Sequence, residues 1–207
     1  LRAFTTSIRN NMRNKPPVDF DKFASEKSIL FITTSPVKKA LHGLANIFVS
    51  QAISELFTIA DESAAGALEI PTDIIFDDFA TGAKVSDMPE KLSICRAKGI
   101  AFSGILLQSE SQLKRMYGEY EAIEIIDQCD SYVFFGGNNY ETAKALSLKM
   151  NVPLDEILYL PVGRIIVFRR GQKPVFSTRY DIFHDEFYQR ITQSHTGQKD
   201  DPWPRDR

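Results

Sequence analysis

Thr72-Asp73-Ile74-Ile75-Phe76-Asp77-Asp78-Phe79 is an apolar run that stops at two adjacent carboxylates. Ile74-Ile75-Phe76 reads as a buried parallel strand, because strands covered on both faces are continuously hydrophobic. Side chains at the carboxyl end of such a strand project into the crevice where open α/β sheets bind ligands. Two acids there are costly unless a cation or water uses them. One reading is the acid pair of a nucleotide hydrolase, in which the first carboxylate holds Mg²⁺ and the second polarises the attacking water. The other is a strand that ends in a solvated acidic turn. The strand pattern by itself leaves both open.

The chain alternates on either side of this strand. Upstream, residues 28–33 form a second apolar strand pattern. Pro36 then opens a helix near Val37, with apolar residues at 37, 40, 41, 44, 45, 48, 49, 52, 53, 56 and 57. That wide stripe suits a buried crossover helix. Residues 60–68 read as a small-residue loop. Downstream, the pattern predicts a helix or irregular helix over 86–98, a strand over 100–107 and a helix over 110–128. A strand over 132–135 comes next, then helices over 140–150 and 155–160. Residues 164–168 and 174–178 flank Arg170-Gly171-Gln172-Lys173 and read as a hairpin. Strand–helix–strand alternation argues for a parallel sheet covered on both faces. The expected organisation is a polar, partly helical segment 1–27, one α/β domain over 28–190 and a polar, disordered tail over 191–207.

Composition narrows the classes. With 207 residues, 43% hydrophobic and 25% charged, a domain with a real core is expected. A net charge of −2 implies no bulk attraction to nucleic acid. No apolar run near 18 residues stands out, so no membrane span is expected. Cys95 and Cys129 lack CxxC or His companions and read as ordinary buried thiols in a reducing compartment. His42, His184 and His195 are scattered without ligand spacing, although His184-Asp185-Glu186 invites inspection.

The residues after the acid pair are more specific. Arg96-Ala97-Lys98-Gly99-Ile100 leads into an apolar strand that stops at Gln108-Ser109-Glu110-Ser111-Gln112-Leu113, and Tyr117-Gly118 comes next. Gly136-Gly137, Glu141-Thr142-Ala143 and Arg169-Arg170-Gly171-Gln172-Lys173-Pro174 complete the series. This order resembles the TraG/TraD family of type IV coupling proteins, motor ATPases of conjugation and type IV secretion. The family pattern runs Asp-Glu-Phe, Arg-x-x-Gly-Ile, apolar strand, Gln-Ser-x-x-Gln-Leu, Tyr-Gly. The likeness covers roughly residues 28–188.

The resemblance implies a RecA-like, doubly wound, mostly parallel sheet with helices on both faces and an antiparallel edge hairpin. It implies Asp77 as the Mg²⁺–nucleotide carboxylate and Asp78 as the water-activating acid. Gln108 would sense nucleotide at its strand end, and Arg96 would be a finger reaching a neighbour's nucleotide. Arg169, Arg170 and Lys173 at the hairpin tip can face DNA, a neighbour or only water.

Two departures matter. Asp78 stands where the family has Glu, which sets the carboxylate about 1 Å back, a displacement worth on the order of 100-fold in rate. No G-x-x-x-x-G-K-[ST] phosphate loop occurs, since no glycine is followed by Lys and then Ser or Thr, and Gly171-Gln172-Lys173 runs into Pro174. The chain, which opens at Leu1, is therefore expected to be a C-terminal fragment of a longer protein, inactive and monomeric alone.

Three functions fit this pattern. The first is part of a ring-forming, hexameric ATPase, using ATP and Mg²⁺, on the cytoplasmic side of the bacterial membrane. It would pass DNA, relaxase or other relaxosome proteins into a secretion channel. The second is a non-catalytic docking module of the same fold. The third is an unrelated α/β hydrolase with a metal at Asp77 and Asp78; against it, the acids are adjacent and not spaced Asp-x-Asp.

Overall fold

The computed structural model describes residues 18–33, 42–81 and 84–195. They belong to two compact units, one running up to Cys129 and one from Asp130. The fold is mixed α/β, with a small parallel sheet in the first unit and an antiparallel sheet in the second.

The first unit opens with α1 (Phe20–Ser25), capped by Asp19, whose carboxylate accepts from the Lys22 N–H at 2.9 Å. Helix α2 (His42–Glu62) carries the predicted stripe. Ile53, Leu56 and Ala60 are buried in the cores, at 2%, 4% and 0% exposure. Positions 37, 40 and 41 of that stripe lie outside the described residues, as does the helical reading of the first 17. By length and composition Gly43–Glu62 is apolar enough to cross a membrane, contrary to the expectation that no such run exists. Ser50, Gln51, Ser54 and Glu55 interrupt the apolar residues and hide this from inspection of the sequence.

Strand β1 (Thr72–Phe76) pairs in parallel with β2 (Ile100–Ile105). The register slips by one residue between Ile74 and Ile75, so Ser103 is the extra residue on β2. The pair is anchored at its start by Leu68 N–H to Lys98 C=O and Thr72 N–H to Gly99 C=O, at 2.9 and 3.0 Å. Gly99 is required there: φ is +71°, and a Cβ would lie 3.3 Å from the Leu68 backbone N and O.

Ile74, Phe76, Phe102 and Ile105 pack with Ile53 of α2 and with Val85 and Met88. Between the strands lie α3 (Met88–Ile94) and the 3-10 turn Cys95–Lys98, which buries Cys95. Helices α4 (Glu110–Tyr117) and α5 (Glu119–Gln128) add Leu113, Tyr117 and Ile125 to the core. Each fully buried aliphatic side chain of this kind contributes about 1.5–3 kcal/mol. Burial raises the Cys95 thiol pKa, so this thiol is held protonated and inert.

Four local expectations change. Residues 28–33 form no strand: Ile29 and Phe31 are 79% and 85% exposed. Leu30, Phe31 and Ile32 instead line a cavity of 620 Å³ that β1 also lines. β1 is not covered on both faces; burial alternates, and Ile75 is 68% exposed. The predicted loop starts later, because α2 continues to Glu62. The helix predicted over 110–128 breaks at Gly118, where φ is +89°. A salt bridge from Lys114 Nζ to Glu119 Oε1, 2.7 Å, spans the break.

In the second unit β3 (Ser131–Phe134), β4 (Arg164–Arg169) and β5 (Val175–Thr178) form an antiparallel sheet in that order. The predicted hairpin is β4–β5, turned at Gly171 with φ +74°. β3 is antiparallel to β4, so parallel pairing among the described strands is confined to β1 and β2. Helices α6 (Tyr140–Met150) and α7 (Leu154–Leu158) cover one sheet face. They bury Ala143, Leu146 and Ile157 with Phe134 and Ile166. A 3-10 turn (Ile182–His184) leads into α8 (Glu186–His195), which runs five residues beyond the expected start of a disordered tail.

Candidate functional site

Phe79 fixes the acid pair. Its ring is 5% exposed and sits 5.0 Å from Phe76 and 5.6 Å from Tyr117, centroid to centroid. Its N–H donates to Leu106 C=O at 3.0 Å, while Leu106 N–H donates to Phe76 C=O at 2.9 Å. These bonds extend the parallel ladder past the strand end and pin the turn. Asp78 adopts φ +51°, the left-handed region that a non-glycine residue enters only under local constraint. The constraint is Thr81, whose N–H and Oγ1 both donate to Asp78 C=O at 2.9 Å. With Phe79 turned inward, Asp77 and Asp78 face solvent.

Gln108 meets them from the end of β2. Its Nε2 donates to Asp78 Oδ1 at 3.0 Å. Ser109 makes no side-chain cap to α4; its hydroxyl lies 3.0 Å from that of Ser111. Gln108 thus spends its amide on the acid and not on the helix end. Gln112, one turn into α4, donates from Nε2 to Gln108 Oε1 at 3.3 Å. In the sequence it is visible only as part of the Gln-Ser-x-x-Gln-Leu pattern.

Beside the acids, Tyr117 donates to Val85 C=O at 3.2 Å and accepts from Val85 N–H at 3.0 Å. Burial pushes its hydroxyl pKa up to about 12. Lys84 lies 4.9 Å from the centre of the Tyr117 ring and pairs with Glu121 at 2.7 Å.

Arg96 is not brought to this place. It is exposed in the turn before β2, at the amino end of the strand, whereas Asp77, Asp78 and Gln108 lie at the carboxyl ends. The six residues of β2 separate the two by roughly 20 Å at about 3.3 Å per residue. At the hairpin tip Arg169 and Lys173 are exposed, and Arg170 pairs with Asp130 at 3.2 Å. His184 Nδ1 lies 2.7 Å from Asp181 Oδ2, which holds the Asp181 carboxyl below its ordinary pKa. The side chains of His42 and His195 lie outside the described residues.

Among the described residues no group of three or more His, Cys, Asp or Glu can hold a metal ion. A dedicated cage is therefore not formed there. Mg²⁺ bound with a nucleotide needs only one or two carboxylates, phosphate oxygens and waters, and exposed Asp77 offers such an oxygen pair.

Residues 71–150 match the family described as "TraM recognition site of TraD and TraG". This stretch is a TraG/TraD-type coupling-protein C-terminal region. No curated protein matches the chain. Among solved structures, the unbound monoclinic form of the bacterial conjugative coupling protein TrwBdeltaN70 matches with a TM-score of 0.64 and 21% identity over 79% of this chain. Plasmid coupling protein TrwB in complex with ADP and Mg²⁺ matches with a TM-score of 0.62 and 22% identity over 78%. The complex of TrwB with the ATP analogue ADPNP gives 0.55 and 24% over 67%. At these identities the likeness is one of fold. The chain spans less than half of each TrwB chain: 43%, 42% and 36%.

Proposed function

We propose that this chain is the C-terminal part of a ring-forming ATPase that passes DNA–relaxase or other protein substrates into a type IV secretion or conjugation channel. The observation that carries the reading is the division of β1 and β2 into two chemical ends. Asp78 and Gln108 meet at the carboxyl ends, and Arg96 stands at the amino end of the same pair. An arginine roughly 20 Å along the pair from the acids is out of reach of the phosphates that they would serve. In a ring it acts on the nucleotide of the next subunit.

In this reading Asp77 holds the Mg²⁺ of the bound nucleotide, and Asp78, steered by Gln108, orients the attacking water. When bound, Mg²⁺ neutralises charge on the phosphates. The fold in this reading is RecA-like, with β1–β2 part of a doubly wound parallel sheet in the longer protein. The open face of β1 and its apolar cavity wall are what such a sheet covers with further elements. The phosphate grip comes from another part of the longer protein, so this chain alone does not hydrolyse ATP. It is monomeric alone, and the intact protein is a hexamer at the cytoplasmic side of the membrane. Its partners are relaxosome proteins, DNA and channel components.

A second reading, a docking module without catalysis, is favoured by the match to a recognition-site family. One experiment separates them. In the longer protein Asp77→Ala should weaken Mg²⁺–nucleotide binding and stop hydrolysis, while Asp78→Asn should spare binding and cut hydrolysis. Full hydrolysis in both variants favours the docking module.

A further inference from the structure

Gln108 joins two side chains. Its Nε2 donates to Asp78 Oδ1 at 3.0 Å, and its Oε1 accepts from Gln112 Nε2 at 3.3 Å. Chemistry dictates this direction. An ionised carboxylate only accepts, so the Gln108 NH₂ must face Asp78. The Gln108 oxygen is then turned toward α4, where it needs a donor. The terminal torsion of a glutamine is broad and roughly two-fold, so Asp78 alone holds the amide loosely. A donor on the oxygen side removes that freedom.

Gln112 is an unusual residue to find there. Its neighbour Leu113 is fully buried, and its own Oε1 is shielded from solvent with no hydrogen-bond partner among the described residues. A buried acceptor without a donor is destabilising, and an apolar side chain of the same size would avoid it. The amide therefore does not serve stability. It supplies an N–H directed at Gln108, which leucine or methionine would lack.

We propose that Gln112 is a positioning residue that locks the Gln108 amide with its N–H toward Asp78, so fixing the carboxylate that orients the attacking water. The orienting of water rests on the proposed ATPase function; the locking itself does not. Gln112 touches neither Asp78 nor the reacting atoms, and acts through Gln108.

The test uses the side-chain NH₂ resonances of the ¹⁵N-labelled chain, with Gln108→Ala identifying the Gln108 pair. Asp78→Ala removes the acceptor and moves that pair. Gln112→Leu, which also removes the orphaned oxygen, should move it in the same direction while melting at or above the parent temperature. Gln112→Glu, which cannot donate when ionised and competes with Asp78 for the Gln108 NH₂, should move the pair at least as far. A Gln108 pair that stays at its parental position in both folded Gln112 variants overturns the proposal. In the longer protein Gln112→Leu should lower kcat by about 10- to 100-fold with KM unchanged. Full kcat there, with hydrolysis lost in Asp78→Ala, also overturns the positioning role. Unchanged hydrolysis in Asp78→Ala overturns instead the reading of the site, and the resonance shifts still decide whether Gln112 locks Gln108.

Discussion

The two units solve the same problem differently. In the antiparallel unit β4 and β5 are adjacent in sequence and close on each other at Gly171, and the core of Phe134, Ile157 and Ile166 is buried under α6 and α7. In the parallel unit two strands need a crossover of more than twenty residues, and the pair remains open, with Ile75 and Leu106 at 68% and 50% exposure. A hairpin satisfies its ladder locally, whereas a parallel strand depends on crossover connections and on cover over both faces. The proposed site residues Asp77, Asp78 and Gln108 all belong to the open unit.

The largest effects should come from the two cores. Phe79→Ala should cost about 3–5 kcal/mol in chemical denaturation, since it empties the space between Phe76 and Tyr117. Ile166→Ala should cost about 2–5 kcal/mol. Hydrogen exchange sharpens the contrast: the first should release amides of β1 and β2, the second those of β3, β4 and β5. Equal release everywhere from either variant would break the division.

A smaller effect is expected at Tyr117. Tyr117→Phe should cost about 1–3 kcal/mol, because the Val85 N–H and C=O lose their partner in a buried place. The hydroxyl pKa is raised from 10.0 to about 12 in the folded chain, so the folded state holds this proton more tightly. The associated stability is fully present below pH 10.0 and is lost as pH rises toward about 12. Alkaline melting curves should flatten in Tyr117→Phe over that window. In the other unit, Asn139 caps α6 by accepting from Thr142 N–H at 2.9 Å, and Asn139→Ala should cost about 1 kcal/mol. Smallest is Arg170→Ala, an exposed pair with Asp130, at about 0.2–1 kcal/mol.

The acid-ended strand, the hairpin and the shared strand-end position of Asp78 and Gln108 are legible in the sequence, because each is written in contiguous residues with a clear period or turn. Residues 28–33 mislead for the opposite reason. Ile29-Leu30-Phe31-Ile32 has strand composition, but a strand exists only where an edge receives it, and that is a tertiary fact. The break at Gly118 is visible as a glycine, yet helical periodicity continues through it from Leu113 to Ile125 and masks the turn. The role of Gln112 is not legible, since it depends on which way the Gln108 amide faces. The distance of Arg96 from the acids emerges only once β2 has a direction in the structure.

If the two ends of the β1–β2 pair serve two different nucleotides, subunit mixing in the longer protein is the most direct test. Arg96→Ala alone should leave folding and nucleotide affinity nearly unchanged and lower hydrolysis by about 10³, and lysine should not substitute. Asp78→Asn subunits should be inactive but still carry Arg96. Mixed with Arg96→Ala subunits, they should restore part of the hydrolysis. No recovery on mixing, together with a lowered melting temperature for Arg96→Ala, would contradict the two-nucleotide account and make Arg96 a structural residue.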